Sequence, residues 1–425
     1  MRIAFFVNVF PKISETFILN QICWFINAGY DIQIFAHNTS NDKIQHTNIE
    51  KYNLKDRTFF WDKGKIFQSF LNVFRIIKHY DVFANATLNN KRMSCSRAKS
   101  IINGSLLKSM GSYDAILSHF GPNGVIANEL RQVGATNAPI LTFFHGYDVT
   151  KLLQEELSDP YAALKKDGEL FLAVSGLISR RLHELGFPMD KIVTHRMGID
   201  LVRYPFSPRR VPDDGKIVFA SVGRLVEKKG FEYGLRAFAK VQSSCFQTIY
   251  RIAGDGPLRQ KLEQLAKELG IEDRVEFLGW QSQERVQELL SQAQIFMAPS
   301  VTSSNGDQEG IPVTLMEAMA SGLPVVSTFH SGIPELVAHG QTGWLAAERD
   351  VASLHACLQH ILDNPEKILP VAKQARAFVE KHHDGEKLNR DLLGHIRSFV
   401  GQGPWEQTQQ KVLCRDLDSE LNTQQ

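Results

Sequence analysis

The chain has 425 residues, of which 43% are hydrophobic and 22% are charged, so it can form two or three globular domains with ordinary cores. Its 48 Lys and Arg residues nearly balance its 46 Asp and Glu residues, which argues against a nucleic-acid-binding protein that relies on bulk positive charge. The five cysteines are scattered and form no Cys-x-x-Cys pair. We therefore expect neither a disulfide framework nor a cysteine zinc site, and a reducing cytoplasm suits this pattern.

The first residues are typical of a strand rather than of a targeting segment. Met1–Phe10 carries one basic residue and a short apolar stretch before Pro11, so no signal peptide is expected. No apolar run approaches the roughly 18 residues that a membrane-spanning helix needs. We expect a soluble or peripheral membrane protein.

Short apolar runs, many of them rich in β-branched residues, predict strands in both halves of the chain. In the first half these runs are Ile3–Val7, Ile32–Ala36, Ala115–Ser118, Ile140–Phe144, Phe171–Val174 and Ile192–His195. In the second half they are Ile217–Val222, Thr248–Ala253, Val275–Leu278, Ile295–Ala298 and Pro324–Ser327. Helical periodicity fills the intervals of the second half, and this alternation predicts parallel sheets covered on both faces.

A proline-rich stretch separates the two sets of strands. Residues 204–215 contain three prolines and end in Asp-Asp-Gly, which is typical of a linker. The sequence therefore predicts two doubly wound α/β domains, with a ligand in the cleft that faces the carboxyl ends of both sheets. The predicted ranges are 1–203 for the first domain, 204–215 for the linker, 216–384 for the second domain, 385–400 for a periodic helix and 401–425 for a glutamine-rich, disordered tail.

One segment departs from the overall charge balance. Lys63–Lys108 contains nine Lys and Arg residues and a single acid, Asp81. Within it, apolar residues at a helical period lie beside basic ones; they are Ile66, Phe67, Phe70, Leu71, Phe74 and Ile77. Such a helix can lie on an anionic membrane surface, or it can pack its apolar face on the core and expose a basic face. Both interpretations stay open.

The most informative stretch of the second half is Glu309–Pro324. The polar run Ser300–Gly310 precedes a helix that we expect to begin at Pro312 and to end at Gly322. Free backbone N–H groups at the start of such a helix, near 313–315, can bind a phosphate.

Two glutamates flank the start of this helix. Glu317 can accept hydrogen bonds from a ribose diol, while Glu309 stays in the loop nearer to a transferred group. The alternative is that Glu309 ends a solvated loop and that Glu317 is an early-helix acid favoured by the helix dipole.

Two further loops follow predicted strands. In Ser221–Gly230, Arg224 and Lys229 can neutralise a diphosphate leaving group without a metal, although they can also be ordinary surface charges. The next loop carries Gly254 and Gly256 but lacks the third glycine of a G-x-G-x-x-G motif. It predicts a tight turn where the backbone approaches a nucleotide.

The order and spacing of these motifs over residues 217–345 resemble the family 4 retaining glycosyltransferases. The resemblance rests on Gly-Arg-Leu-x-x-x-Lys-Gly, Gly-Asp-Gly-Pro, Val-Glu-Phe-Leu-Gly, Ala-Pro-Ser and the Glu-x7-Glu helix. It implies the GT-B architecture, in which two Rossmann-like domains face a central cleft and the second binds a nucleotide-sugar. It also implies that the helix at 385–400 crosses back to the first domain.

The resemblance assigns roles to the residues of the second domain. Arg224 and Lys229 would hold the donor diphosphate, Glu317 the ribose, and Glu309 the donor sugar near the reaction centre. The backbone that would cradle the sugar and the phosphate belongs to Gly310, Ile311, Val313, Thr314 and Leu315. Pro312 lacks the N–H group that many relatives could supply at its position.

The first domain resembles the colanic-acid and amylovoran type of exopolysaccharide glycosyltransferases. Phe10–Phe17 and Ser118–Gly124 carry this likeness. It suggests an acceptor or cleft role for Ser14, Glu15, Thr16, His119 and Asn123. Either Ser14 or Thr16 can cap the helix that follows, whose N-terminus would face the donor phosphates.

A histidine ends one apolar strand of the first domain. His145, in Phe-Phe-His-Gly-Tyr-Asp, matches the active-site histidine of the family, and Asp148 would orient its ring or an acceptor hydroxyl. A buried structural histidine is the competing interpretation for His145 and for His119.

The resemblance thus implies a retaining hexosyltransferase that moves a sugar from a nucleotide-diphosphate sugar to a hydroxyl of a glycan or a lipid-linked glycan, in exopolysaccharide or other cell-surface glycan biosynthesis. No metal or other cofactor and no nucleic-acid partner is expected. We expect a cytoplasmic location, where the basic segment 63–108 can dock on the inner face of the membrane. A nucleotide-sugar 2-epimerase and a non-catalytic nucleotide-sugar-binding protein remain as alternatives.

Overall fold

The computed structural model describes residues 1–40, 46–61, 77–88, 97–155, 158–209, 215–241 and 247–401. Most of the predicted amphipathic helix, residues 210–214 of the predicted linker, and the predicted disordered tail after residue 401 lie outside the described residues.

The first lobe is built on a sheet of seven parallel strands. They are β1 (Arg2–Val9), β2 (Asp31–Asn38), β3 (Thr58–Phe60), β4 (Ala115–His119), β5 (Ile140–Phe144), β6 (Leu170–Ala173) and β7 (Ile192–Thr194). Their order across the sheet is β3-β2-β1-β4-β5-β6-β7. All five residues of the inner strand β5 are buried, because helices cover both faces of the sheet at its centre.

The second lobe is built on a sheet of six parallel strands. They are β8 (Lys216–Val222), β9 (Gln247–Ala253), β10 (Val275–Gly279), β11 (Ile295–Ala298), β12 (Val325–Thr328) and β13 (Trp344–Ala346). Their order is β10-β9-β8-β11-β12-β13. The predicted α/β class with two parallel sheets is confirmed.

Helices connect the strands and pack on the sheets. Those of the first lobe are α1 (Thr16–Asn27), α2 (Thr47–Lys51), α3 (Tyr80–Leu88), α4 (Arg97–Ser109), α5 (Gly121–Gln132), α6 (Lys151–Glu155), α7 (Ala162–Asp167) and α8 (Gly176–Glu184). The later ones are α9 (Phe231–Ala239), α10 (Arg259–Glu268), α11 (Gln283–Gln292), α12 (Val313–Ala320), α13 (Val351–Asp363), α14 (Ile368–His382) and α15 (Gly385–Val400). No helix among the described residues is long and apolar enough to cross a membrane.

Strand order reverses at one place in each sheet. The reversal lies between β1 and β4 in the first lobe and between β8 and β11 in the second. Loops that leave neighbouring strands in opposite directions open a crevice at such a point, and α/β proteins bind ligands there.

The end of the described chain returns to the first lobe. The Ile199 N–H donates to the His383 carbonyl at 3.0 Å, and the Gly385 N–H donates to the Ile199 carbonyl at 2.9 Å. Helix α15 then packs on α1, where Trp24 Nε1 donates to Glu386 Oε2 at 2.5 Å.

A second contact between the lobes caps a helix. Glu335 of the second lobe accepts the N–H groups of Gly176 and Leu177, each at 2.7 Å, at the start of α8 in the first lobe. A carboxylate at a helix N-terminus satisfies otherwise unpaired donors and interacts favourably with the helix dipole. This contact joins the second lobe to the start of α8.

Candidate active site

A cavity of about 720 Å³ lies between the lobes, at the carboxyl ends of both sheets. Cavities of this size accommodate substrates as large as a nucleotide-sugar. The residues predicted from the sequence that line it are Ser14, Glu15, Thr16, Asn123, His145, Arg224, Lys229, Gly254, Glu309, Gly310, Ile311, Val313, Thr314 and Glu317. Four other predicted residues, His119, Asp148, Gly256 and Leu315, are not among the residues that line it.

Asp148 is a backbone anchor in this structure. Its fully buried carboxylate accepts the N–H groups of Gly121, His145 and Gly146 at 2.9–3.0 Å. Burial raises the pKa of this carboxyl to about 6, although the backbone donors oppose the shift. The prediction that Asp148 orients the imidazole or an acceptor hydroxyl is therefore wrong for this geometry: it holds the loop after β5 and the start of α5.

His145 belongs to a chain of three side chains that enters the lobe. Its Nε2 lies 3.2 Å from His119 Nδ1, and His119 Nε2 lies 2.9 Å from Gln21 Oε1. Because an amide oxygen only accepts, His119 donates from Nε2 and accepts from His145 at Nδ1. This assignment leaves Nδ1 of His145 as its acceptor nitrogen. His119 itself is fully buried, so it supports His145 rather than an acceptor.

We predict that His145 stays neutral across the physiological pH range. Burial lowers its pKa to about 3, because the low-dielectric surroundings disfavour the imidazolium. The ring should therefore show no titration between pH 5 and pH 8 in ¹⁵N NMR spectra, with its proton on Nε2. A titration midpoint above pH 5 would contradict this electrostatic picture.

Three cations lie on the second lobe's side of the cavity. Arg224 is exposed, lines the cavity, and forms no ion pair through its side chain within the described part of the chain. Lys229 Nζ lies 3.1 Å from Glu309 Oε2. Lys228, which the sequence analysis did not select, lies 3.1 Å from Asp307 and 3.7 Å from Glu309.

Glu309 is a buried, ionised carboxylate. Burial alone would raise its pKa, but Lys229 and Lys228 outweigh burial and lower the pKa to about 2. One oxygen binds Lys229, while the other, Oε1, is buried and forms no hydrogen bond with any described residue. The Lys228 ammonium lies 3.7 Å from Oε1, beyond hydrogen-bond distance. Buried oxygens usually accept a hydrogen bond, so Oε1 can accept one from a hydroxyl group of a ligand.

Helix α12 begins one residue later than predicted, at Val313, and Pro312 occupies its N-cap. The Leu315 N–H donates to the Pro312 carbonyl at 3.1 Å, so the prediction of a free amide at Leu315 is wrong. The helix ends in a Schellman turn, because Leu323 N–H donates to the Ala318 carbonyl and Gly322, at φ 84°, follows the last turn.

Glu317 lies in this helix and lines the cavity beside Tyr204. Burial raises its pKa to about 7, although Tyr204 and Arg203 oppose the shift. A buried carboxyl group that titrates near neutrality can donate a hydrogen bond when it is protonated and only accepts when it is ionised. A pair of ribose hydroxyls that donate to it would favour the ionised carboxylate.

We predict that Glu317→Gln stabilises the unliganded protein at alkaline pH. A raised folded-state pKa means that stability falls as pH rises from about 4.5 to 7, by roughly 3 kcal/mol in total. The variant should therefore unfold at a higher temperature than the wild type at pH 8, and the gap should close below pH 4.5. Thermal unfolding measured across this range, with the exposed Glu268→Gln as control, tests this. Parallel curves for Glu317→Gln and wild type would refute it.

The two predicted glycines serve the packing of loops. A Cβ atom on Gly254, at φ 136°, would lie 1.9 Å from the Gly223 carbonyl oxygen. One on Gly256, at φ 159°, would lie 2.6 Å from the Leu225 carbonyl oxygen. These glycines therefore let the loop after β9 contact the loop that carries Arg224. Only Gly254 also lines the cavity, so the prediction that Gly256 approaches the ligand is not supported.

The first lobe contributes the opposite wall. Helix α1 has Glu15 at its N-cap without a side-chain capping bond, so the prediction that Ser14 or Thr16 caps it is wrong. Glu15 instead pairs with Lys12. The rings of Phe17 and Phe120 lie 5.0 Å and 4.6 Å from the His145 ring and present aromatic surface.

Several lining residues were not selected from the sequence. Trp280 and Gln281 follow β10, and Tyr204 lies in the predicted linker. Lys228 had a local signal, since it stands next to Lys229 in the quoted motif. The others had none, because their relevance depends on which strand ends lie side by side. The described residues contain no group of three or more His, Cys, Asp or Glu side chains that could hold a metal ion.

Two Rossmann-like lobes that face a cleft with cationic and carboxylate side chains have the architecture of the GT-B class. Comparisons with known proteins agree. Residues 205–378 match the family model of group 1 glycosyl transferases. A colanic acid biosynthesis glycosyltransferase of Escherichia coli is 37% identical and covers 94% of this chain and 100% of its own. The amylovoran biosynthesis glycosyltransferase of Erwinia amylovora is 36% identical, and the match covers 92% of this chain and 98% of that relative.

Solved structures share the fold. The Anabaena protein HepE, in complex with UDP and glucose, has a TM-score of 0.73 at 17% identity and covers 94% of this chain and 100% of its own. The chain belongs to the group 1 glycosyltransferases, with family 4-like character and a GT-B fold, and is a homologue of exopolysaccharide biosynthesis glycosyltransferases. The predicted family and activity are confirmed, and these relatives give no support to the epimerase alternative.

Proposed function

We propose that the cavity binds a nucleotide-diphosphate sugar on the second lobe and transfers its sugar, with retained anomeric configuration, to a glycan or lipid-linked glycan hydroxyl. The observation that carries the proposal is the meeting, in one cavity, of two groups: the Arg224 guanidinium, which forms no ion pair with any described residue, and the buried Glu309 Oε1, which accepts no hydrogen bond from one. Lys229 lies beside Glu309, so a site for negative charge adjoins a site for a hydroxyl. A nucleotide-diphosphate sugar needs both kinds of site where its diphosphate joins its sugar, a cationic one for the phosphates and an acceptor for a sugar hydroxyl.

The geometry supports a division of labour along the donor. Arg224, Lys229 and the first N–H groups of α12 stabilise the departing diphosphate by preorganised electrostatics. Glu309 Oε1 accepts a donor-sugar hydroxyl, and Glu317 accepts the ribose diol. The acceptor hydroxyl attacks from the same face as the leaving group, whose phosphate oxygen takes the proton. No metal takes part, since the two cationic side chains supply the compensating charge.

The first lobe takes the acceptor. The rings of Phe17 and Phe120 offer apolar faces on which a sugar ring can stack, and Glu15 and Asn123 offer polar groups beside them. The enzyme works in the cytoplasm on a growing surface glycan, and the basic segment 63–108 brings it to anionic lipid at the inner membrane face. Salt-sensitive sedimentation with anionic vesicles, absent with neutral ones, tests the membrane part.

Transfer of label from a radioactive nucleotide-sugar tests the site. The donor is the member of a UDP-, GDP- and ADP-sugar panel that most raises the unfolding temperature, and Arg224→Ala and Glu309→Ala should each abolish most transfer. Arg285→Ala, which removes an exposed arginine of α11, is the control. The product should keep the donor's anomeric configuration in NMR spectra. Unchanged transfer by both cavity variants would refute the site.

A further inference from the structure

The loop that carries Glu309 is held from behind by a histidine and a glutamate. His330 lies two residues after the end of β12 and is fully buried, and Glu348 lies two residues after the end of the neighbouring strand β13. Neither side chain lines the cavity. Both belong to turns that the sequence analysis did not single out, and β13 itself was not predicted.

The direction of each hydrogen bond in this group is fixed by chemistry. The Glu309 N–H donates to His330 Nε2 at 3.1 Å, and His330 Nδ1 lies 2.7 Å from Glu348 Oε1. A backbone N–H only donates and a carboxylate only accepts. The His330 proton therefore lies on Nδ1, and the Nε2 lone pair faces the Glu309 amide.

Glu348 also holds the other end of the same loop. Its second oxygen, Oε2, accepts the Thr302 N–H at 2.7 Å. A single glutamate thus anchors the segment 302–309 at both ends, directly at Thr302 and through His330 at Glu309. The anchored segment leads into Gly310, where a Cβ atom would lie 2.7 Å from the His145 carbonyl oxygen of the opposite lobe.

We propose that His330 and Glu348 are positioning residues that set the direction in which the Glu309 carboxylate enters the cavity. This inference rests on the proposed function, in which Glu309 Oε1 accepts a donor-sugar hydroxyl. The lysines beside Glu309 compensate its charge, but an ammonium on a flexible stem does not fix the orientation of its partner. The bond between the Glu309 amide and His330 fixes the backbone from which the side chain projects.

A small misplacement of this carboxylate matters more for the sugar than for the diphosphate. A shift of about 1 Å in a positioned group can weaken its action about 100-fold. In the proposed function the diphosphate is held by Arg224, by Lys229 and by the start of α12. Only Lys229 among these groups pairs with Glu309 in the described part of the chain. Loss of the His330 acceptor should therefore weaken recognition of the sugar more than recognition of the diphosphate.

The test compares two amide substitutions in the full-length protein by calorimetry. A glutamine amide reaches the position of His Nε2, so His330→Gln can still accept the Glu309 N–H. An asparagine amide reaches only the position of Nδ1, so His330→Asn cannot. The ligands are the nucleotide-sugar that most stabilises the wild type and its parent nucleoside diphosphate. His330→Asn should bind the nucleotide-sugar about 10-fold more weakly and the diphosphate within 2-fold of wild type. His330→Gln keeps the acceptor for the Glu309 N–H but has no donor at the Nδ1 position for Glu348, so it should recover most of the affinity for the nucleotide-sugar.

A purely structural histidine would give another pattern. The relevant quantity is the ratio of the affinity for the nucleotide-sugar to the affinity for the nucleoside diphosphate. The proposal is overturned if this ratio is the same in His330→Asn and His330→Gln, whether it is native or reduced in both. It is also overturned if the ratio is lower in His330→Gln than in His330→Asn. Hydrogen exchange of the Glu309 amide gives a ligand-free readout, which should be fast in the asparagine variant and slow in the glutamine variant. Glu309→Gln separates failure of the proposed function from failure of the positioning role of His330. A native preference for the nucleotide-sugar over the diphosphate in Glu309→Gln would refute the role of Glu309 itself.

Discussion

Replacing Lys229 by methionine should reduce sugar transfer by about 100-fold to 1,000-fold, the range found when one preorganised charge-stabilising group is removed. Two effects combine in this variant. The diphosphate loses a cation, and Glu309 loses the ammonium 3.1 Å from its carboxylate. Methionine keeps most of the length and the apolar stem of lysine, so packing changes little.

The pH dependence of the variant separates these effects. In the wild type, Lys229 and Lys228 hold the pKa of Glu309 at about 2 against the opposing effect of burial. Without Lys229, burial should raise that pKa, so the carboxylate takes up a proton as pH falls through the mildly acidic range. Transfer by the variant should then decline between pH 7 and pH 5 more steeply than wild-type transfer.

A matched lysine outside the cavity serves as control. Lys261→Met removes an exposed lysine of α10 that pairs with Glu232, and it should leave transfer within 2-fold of the wild type. Rates within 3-fold of each other for Lys229→Met and Lys261→Met would contradict the role of Lys229.

Gly254→Ala should destabilise the second lobe by about 3 kcal/mol, which corresponds to a fall of about 6–12 °C in unfolding temperature for a lobe of this size. The added Cβ would lie 1.9 Å from the Gly223 carbonyl oxygen, so two backbone segments must separate. The loop with Arg224 would move with them, and nucleotide affinity should fall as well. Differential scanning calorimetry measures the first effect and titration calorimetry the second.

Gly270→Ala is the control for a positive φ without a close approach of another backbone segment. Gly270 also has a positive φ, 64°, but a Cβ there meets nothing within 4 Å. It should lower stability by only about 1 kcal/mol, the strain of a left-handed backbone conformation. Equal losses in the two variants would show that the close approach of the two loops adds nothing.

Short apolar runs made most of the fold predictable. All five residues of β5 and the five central residues of β8 are buried. The strands β3, β7 and β13 have three residues each, too few to display a period, and of these only β7 was predicted. They form strands because their backbone pairs with the edge of a neighbouring strand. This is a tertiary effect that no local sequence pattern predicts.

The candidate site was predictable where a motif joins chemistry to a strand end. Arg224, Lys229, Glu309 and Glu317 all line one cavity, as the motifs of the second domain suggested. The predicted role of Asp148 was wrong because a sequence does not reveal that three backbone N–H groups converge on its carboxylate. A carboxylate near a histidine in sequence is not necessarily hydrogen-bonded to its ring.

Interactions between distant turns could not be predicted at all. Glu348 binds Thr302 and His330 only because β12 and β13 are neighbours in the sheet. The residues are separated by up to 46 positions along the chain. Likewise, Glu335 meets the start of α8 only after the two lobes have come together.

The decisive experiment is a crystal structure of the full chain with a bound nucleoside diphosphate. We expect the diphosphate within hydrogen-bond distance of the Arg224 guanidinium, of Lys229 Nζ and of a backbone N–H at Val313 or Thr314. The ribose hydroxyls should then lie on the Glu317 carboxylate. A diphosphate bound outside this cavity, or bound within it without contact to Arg224 and Lys229, would contradict the account.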